Sequence, residues 1–315
     1  MKKILTSGRP LIAGLLLSGT MLMAAPAQAQ AAPPANVPTN LDALPDGAGN
    51  LVVSWTPPVD IDGHEITQAG VGLLALPISD PPVYLTALCN GAGLTSCAVP
   101  GYQAGTVYGV AVFLVNDQGF PVQSDEFLQV ATLGLPGGSQ QATVRWHGPL
   151  TGQTVEAPAC VLAGSPGFTT RGADDLQSQG APAGATAPLG VLQFQATRCG
   201  PDETTRVVID YPAGTLAGLK AYKYGPSEAG AGLGWFAHGA ISGDRVTYTV
   251  VNDGVGDSDS DPAAINDPFA PLDVPPDTSG PGAGSVQSVP TLGQWEIMML
   301  SALAGLLGWR VRRRP

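Results

Sequence analysis

Charge is what this chain has least of. Only 12% of its 315 residues are charged, against about a quarter in an ordinary globular protein, and no lysine or arginine stands between positions 10 and 144. The basic residues gather at the two ends, with Lys2, Lys3 and Arg9 at one and Arg310, Arg312, Arg313 and Arg314 at the other. Between residues 30 and 288 seven basic side chains face 24 acidic ones, a net of −17. A body of that sign repels phosphates and anionic lipid, which argues against nucleic acid as a partner.

The usual catalytic signatures are also missing. There is no Gly-x-Ser-x-Gly elbow, and Gly63-His64-Glu65 has no second histidine four residues on, so it is not a zincin helix. The other histidines, His147 and His238, stand alone; all three are expected on the surface or at strand ends. No Cys-x-x-Cys occurs and no histidine neighbours a cysteine, which removes the common zinc and redox patterns. Residue content alone does not exclude a pair of carboxylates acting on a glycosidic bond. The expectation is a non-enzymatic protein, with a secreted polysaccharide-active hydrolase or a glycan-binding protein as the alternative. Tyr222, Tyr224, Trp235 and Phe236 could form a sugar-stacking platform, although aromatics in alternating strands more often serve as core.

What the chain has in quantity is 42 glycines and 30 prolines beside 44% apolar residues, a mixture that predicts short strands, many turns and packed cores. Its ends read as addresses. Lys2, Lys3 and Arg9 precede an apolar run from Leu11 to Ala25 and the small-residue pattern Ala27-Gln28-Ala29, a secretory signal peptide over residues 1–31, cleaved near Ala27 and Ala29. The partner this implies is Sec-type export machinery. At the other end Trp295 to Trp309 is mostly apolar. As a helix those residues span about 22 Å, short of a hydrocarbon core of about 30 Å. Arg310, Arg312, Arg313 and Arg314 then act as a membrane stop on the cytoplasmic side.

Immediately before the apolar run stands Val289-Pro290-Thr291-Leu292-Gly293-Gln294-Trp295. Residues 289–315 resemble the IPTL-CTERM sorting signal, with Val289 in place of the usual isoleucine and the motif residues Val289, Pro290, Thr291, Leu292 and Trp295. The resemblance implies a Gram-negative cell-surface protein, held transiently in the inner membrane and processed by an exosortase-type protease.

Between these ends the chain reads as all-β, two β-sandwich-like modules in tandem, flanked by the signal peptide and a short hydrophobic helix. Leu51-Val52-Val53-Ser54-Trp55 and Thr106 to Phe113 alternate as strands do. An early Trp55, the Gly105-Thr106-x-Tyr108-x-Val110 run, Asn116 with Gly119, and Val130-Ala131-Thr132 resemble a fibronectin type III domain over residues 36–134. Trp55 and Tyr108 are expected in its core. Its nine acids have no lysine or arginine within the module, so ion pairs with those residues inside it are impossible.

Residues 137–275 form the second module. Val191 to Cys199, Val207 to Pro212, Tyr222 to Pro226, Trp235-Phe236, Val246 to Val250 and Asp253 to Asp259 occur in an order that resembles the choice-of-anchor U domain. That resemblance implies a β-rich exported domain and names no reaction. Residues 276–288, rich in Pro, Gly and Ser, read as a flexible stalk.

Four cysteines in an exported chain predict two disulfides, and of the three possible pairings Cys89 with Cys97 and Cys160 with Cys199 keeps each bridge within one module. Asp253, followed by Asp257, Asp259 and Asp261 at alternate positions, could hold Ca²⁺, the one cofactor the sequence suggests. The segment is not an EF-hand, since Pro262 and Pro268 occupy the places of the turn glycine and the bidentate acid. The rival reading is a solvated acidic loop. A glycan or protein ligand is the expected partner of the body.

Overall fold

The computed structural model describes residues 36–149, 160–228 and 230–276. Ala27 and Ala29, Val289 to Leu292, Trp295, Arg310 and Arg312 to Arg314 lie outside the described residues. Within them no helix is long and apolar enough to cross a membrane.

The first half runs β1 (Thr39–Pro45), β2 (Asn50–Thr56), β3 (Ile66–Leu76), β4 (Tyr84–Asn90), β5 (Ser96–Pro100), β6 (Val107–Asn116), β7 (Pro121–Gln123) and β8 (Glu126–Gly134). The second half begins with β9 (Gln141–Pro149), β10 (Val161–Thr169) and the short α1 (Ala173–Ser178). It continues with β11 (Val191–Thr197), β12 (Thr204–Asp210), β13 (Lys220–Pro226), β14 (Leu233–Ala237), β15 (Ala240–Ser242), β16 (Arg245–Val251) and β17 (Ala264–Leu272). The alternation read in β2 is strand geometry: Leu51, Val53 and Trp55 turn inward and are buried, whereas Val52 and Ser54 are half-exposed.

The strands form three sheets: β1-β2-β5, β10-β11-β17-β13-β14, and a nine-stranded sheet in the order β15-β16-β12-β9-β8-β6-β3-β4, with β7 paired to β6. The three-stranded sheet covers one end of the long sheet. Between them lie Leu41, Leu51, Val53, Trp55, Val71, Leu73, Tyr108, Val110 and Val112. Trp55 and Tyr108 are thus core residues, as expected. The five-stranded sheet covers the other end, enclosing Trp146, Phe194, Val207, Ile209, Tyr248, Ile265 and Phe269. Each such fully buried side chain contributes about 1.5–3 kcal/mol of transfer free energy.

The expected boundary near residues 134–137 is a hairpin. β8 and β9 pair along their full length, from Glu126 opposite Pro149 to Gly134 opposite Gln141. The turn between them is closed by Leu135 N–H donating to the Gln140 carbonyl, with Gly137 and Gly138 both at positive φ. One sheet therefore passes through both modules. Leu74, Leu76, Ala111, Phe127, Ala131 and Leu133, from first-module strands, belong to the same core as Trp146 and Phe194. Buried Gln129 of β8 fastens the arrangement, donating to the Cys160 carbonyl and accepting from Leu162 N–H.

Both disulfides form as paired in the sequence reading. Cys89–Cys97 joins β4 to β5, the outer strands of two facing sheets, and so clips the first sandwich at its side. Cys160–Cys199 joins the residue before β10 to the residues after β11.

Candidate functional site

The acids of the first module find their cations in the second. Arg145, fully buried in β9, donates to Asp42 Oδ1 at 2.6 Å and to Asp210 Oδ2, while Arg245 also binds Asp210 at 2.7 Å. His147, expected at the surface or a strand end, is buried in β9 with Nδ1 2.6 Å from Glu126 Oε1, because its strand is covered on both faces. Arg206 approaches the same carboxylate at 3.5 Å. Burial pushes Glu126 up, but His147, the Leu41 N–H and Arg206 outweigh it and hold the carboxyl below its ordinary value. His64 pairs with exposed Asp117 at 3.1 Å, and His238 Nε2 lies 2.8 Å from the Thr249 carbonyl.

The acidic loop after β16 does not converge on a cation site. Asp257 is buried, and its two oxygens accept from the N–H groups of Asp253, Asp259 and Asn266. Asp259 accepts from Ser260 and Asp261 N–H, and Asp261 from Ala263 N–H. Alternate carboxylates thus cap the turns of their own backbone. Among the described residues no group of three or more His, Cys, Asp or Glu is placed to hold a metal ion. Asp257, Asp259 and Asp261, three of the residues read with Asp253 as calcium ligands, are engaged by backbone donors of their own loop.

Beneath the loop lies a polar core that the sequence reading did not single out. Lys223 of β13 and Asp267 of β17 are both wholly buried, with Nζ 2.5 Å from Oδ1. Burial pushes the lysine below its ordinary value, and pushes Asp267 and Asp257 above theirs. The Tyr248 ring stacks on Phe269 at 4.2 Å and stands 5.7 Å from Nζ. The Tyr248 hydroxyl is a side-chain neighbour of the Asp267 carboxyl, and burial pushes the phenol well above its ordinary value. A period-two signal existed: Ile265-x-Asp267-x-Phe269 puts the aspartate on the apolar face.

On the opposite face of the five-stranded sheet is a cleft of about 220 Å³, lined by Arg171, Gln179, Gln193, Tyr224, Trp235 and Asn266 among others. Tyr224 and Trp235 are cross-strand partners with centroids 5.7 Å apart, and Trp235 Nε1 donates to Gln179 Oε1 at 3.2 Å. Phe236, one residue on, turns to the other face and packs near His238, so the four aromatics do not form one platform. Strand alternation separates them.

Residues 287–314 match the IPTL-CTERM motif. This is an exported cell-surface protein with a C-terminal sorting signal. No curated protein matches the chain. Among solved structures, a chain described as "Myokine structure" is similar at 19% identity and a TM-score of 0.22, over 28% of this chain and 94% of that one.

Proposed function

We propose that this exported protein is a non-enzymatic adhesive or structural component of the cell surface or its matrix, released from a transient inner-membrane anchor by an exosortase-type protease. The observation that carries the reading is the motif match over residues 287–314. It is supported by a body of stapled antiparallel strands in which buried carboxylates serve ion pairs and backbone caps. We read residues 36–134 as a fibronectin type III-like sandwich, on the strand orders β1-β2-β5 and β4-β3-β6-β8, and the remainder as a choice-of-anchor U-like domain. Sec-type export and cleavage after Ala29 complete the scheme.

The test is intact mass of the protein from envelope and medium fractions, beside a variant carrying Pro290→Ala and Thr291→Ala. Loss of both ends from the wild type, with the tail retained by the variant, is expected. Retention of Trp295 to Pro315 in both proteins would reduce the tail to an ordinary anchor.

A second reading, glycan binding, draws on the cleft, where an aromatic wall stands beside amide and guanidinium groups. Arg171→Ala with Gln193→Ala is expected to abolish any retention on a glycan array. Turnover of an array glycan, lost on replacing a single acid, would overturn the non-enzymatic reading.

A further inference from the structure

Of the two lysines among the described residues, Lys220 is exposed and Lys223 is wholly buried. Lys223 stands opposite Phe269 on β17, and Asp267 lies two residues before Phe269, on the same face of the same strand. The pair are diagonal cross-strand neighbours, a separation that a lysine side chain spans. Nζ and Oδ1 are 2.5 Å apart. In an amide the nitrogen and oxygen are about 2.2 Å apart, from the standard C=O and C–N lengths. Forming the amide brings Nζ from its hydrogen-bonded oxygen onto the adjoining carboxyl carbon, to a bond of about 1.33 Å.

The surroundings hold the pair in place and keep water out. Phe269 and the stacked Tyr248 wall one side. Gly256 closes another so tightly that a Cβ there would overlap the Lys223 side chain, and Gly225 packs directly on the Gly256 backbone. Burial displaces both groups toward their neutral forms. Desolvation makes such a pair costly unless every lone pair is satisfied. A neutral amide would remove both charges at once.

We propose that Lys223 and Asp267 are joined by an intramolecular isopeptide bond formed after folding. A proton passes from the ammonium to the carboxylate along their hydrogen bond, giving amine and carboxylic acid. The amine lone pair attacks Cγ, the Nζ–Cγ bond forms, one Cγ–O bond breaks, and the departing hydroxyl leaves with a proton from nitrogen as one water. No oxidant, reductant or cofactor enters the balance. Fixed proximity converts a bimolecular condensation into a first-order one, and the dry site disfavours the reverse hydrolysis.

The test is the mass of the full chain as isolated, with its termini mapped and its two disulfides counted. The expected mass is lower by one water. Trypsin should fail to cut after Lys223 and should yield a branched peptide whose fragments join Lys223 to Asp267. Lys223→Arg keeps a buried cation but supplies no amine, and is expected at its full mass; Asp267→Ala likewise. A wild-type chain at full mass that trypsin cuts after Lys223, or a water deficit mapped to another pair, overturns the proposal. Because the decisive reading is on the wild type, it does not depend on either variant folding.

Discussion

Arg145 is the residue on which the two halves of the molecule meet electrostatically. Its guanidinium has no exposed surface and spans Asp42 of β1 and Asp210 of β12. Removing one partner of a buried ion pair costs about 3–5 kcal/mol, and Arg145→Met is expected to lower stability by about 3 kcal/mol in urea titration, since both carboxylates keep partial contact with water. Gly256 is constrained twice, by a φ of +83° and by the Lys223 side chain against it. Gly256→Ala should cost more than about 2 kcal/mol, whereas Gly243→Ala, in an open turn, should cost about 1 kcal/mol, both read from denaturant midpoints. Glu126, held below its ordinary value of 4.5, contributes stability that is fully present above that pH and is lost as pH falls through the lowered value. A Glu126→Gln variant should therefore show a flatter acid limb when urea midpoints are followed from about pH 6 to about pH 3.

Among elements, the disulfides differ in what they constrain. Cys160–Cys199 spans a sequence separation of 39 and Cys89–Cys97 one of 8, so on the chain-entropy model they contribute roughly 4 and 2.5 kcal/mol. Replacing each pair with serine should rank the melting temperatures in that order. Strands were legible wherever one face alone is buried, as in β2 and β16, because the period-two pattern survives. In β8 and β9 both faces are covered, alternation disappears, and nothing marks which strand lies beside which. Pro136, Gly137 and Gly138 suit a linker and a tight turn equally well, so the hairpin that fuses the modules read as a boundary. The acidic loop left two readings open for a related reason: carboxylates that ligate calcium and carboxylates that cap successive turns share the same alternate spacing. Lys223 passed unnoticed between two tyrosines because the alternation in Tyr222-Lys223-Tyr224 does not say which parity faces inward.

At the scale of the whole molecule, the shared sheet predicts shared fate. Leu74, Leu76, Phe127 and Leu133 would be stripped of cover if the second half unfolded alone. Calorimetry should show one transition in place of two, and residues 36–134 produced alone should melt well below the intact protein. The same scan with excess chelator should leave that transition where it is, since the loop carboxylates are already engaged by backbone donors.

β17, the last strand described, does not lie at an edge. β11 pairs with Ala264 to Phe269 and β13 with Phe269 to Leu272, so between them they hold every residue of the strand. Taking β17 out of the sheet therefore means breaking the hydrogen-bond ladders on both of its sides. The described chain therefore ends on an interior strand held from both sides, and not on a sheet edge.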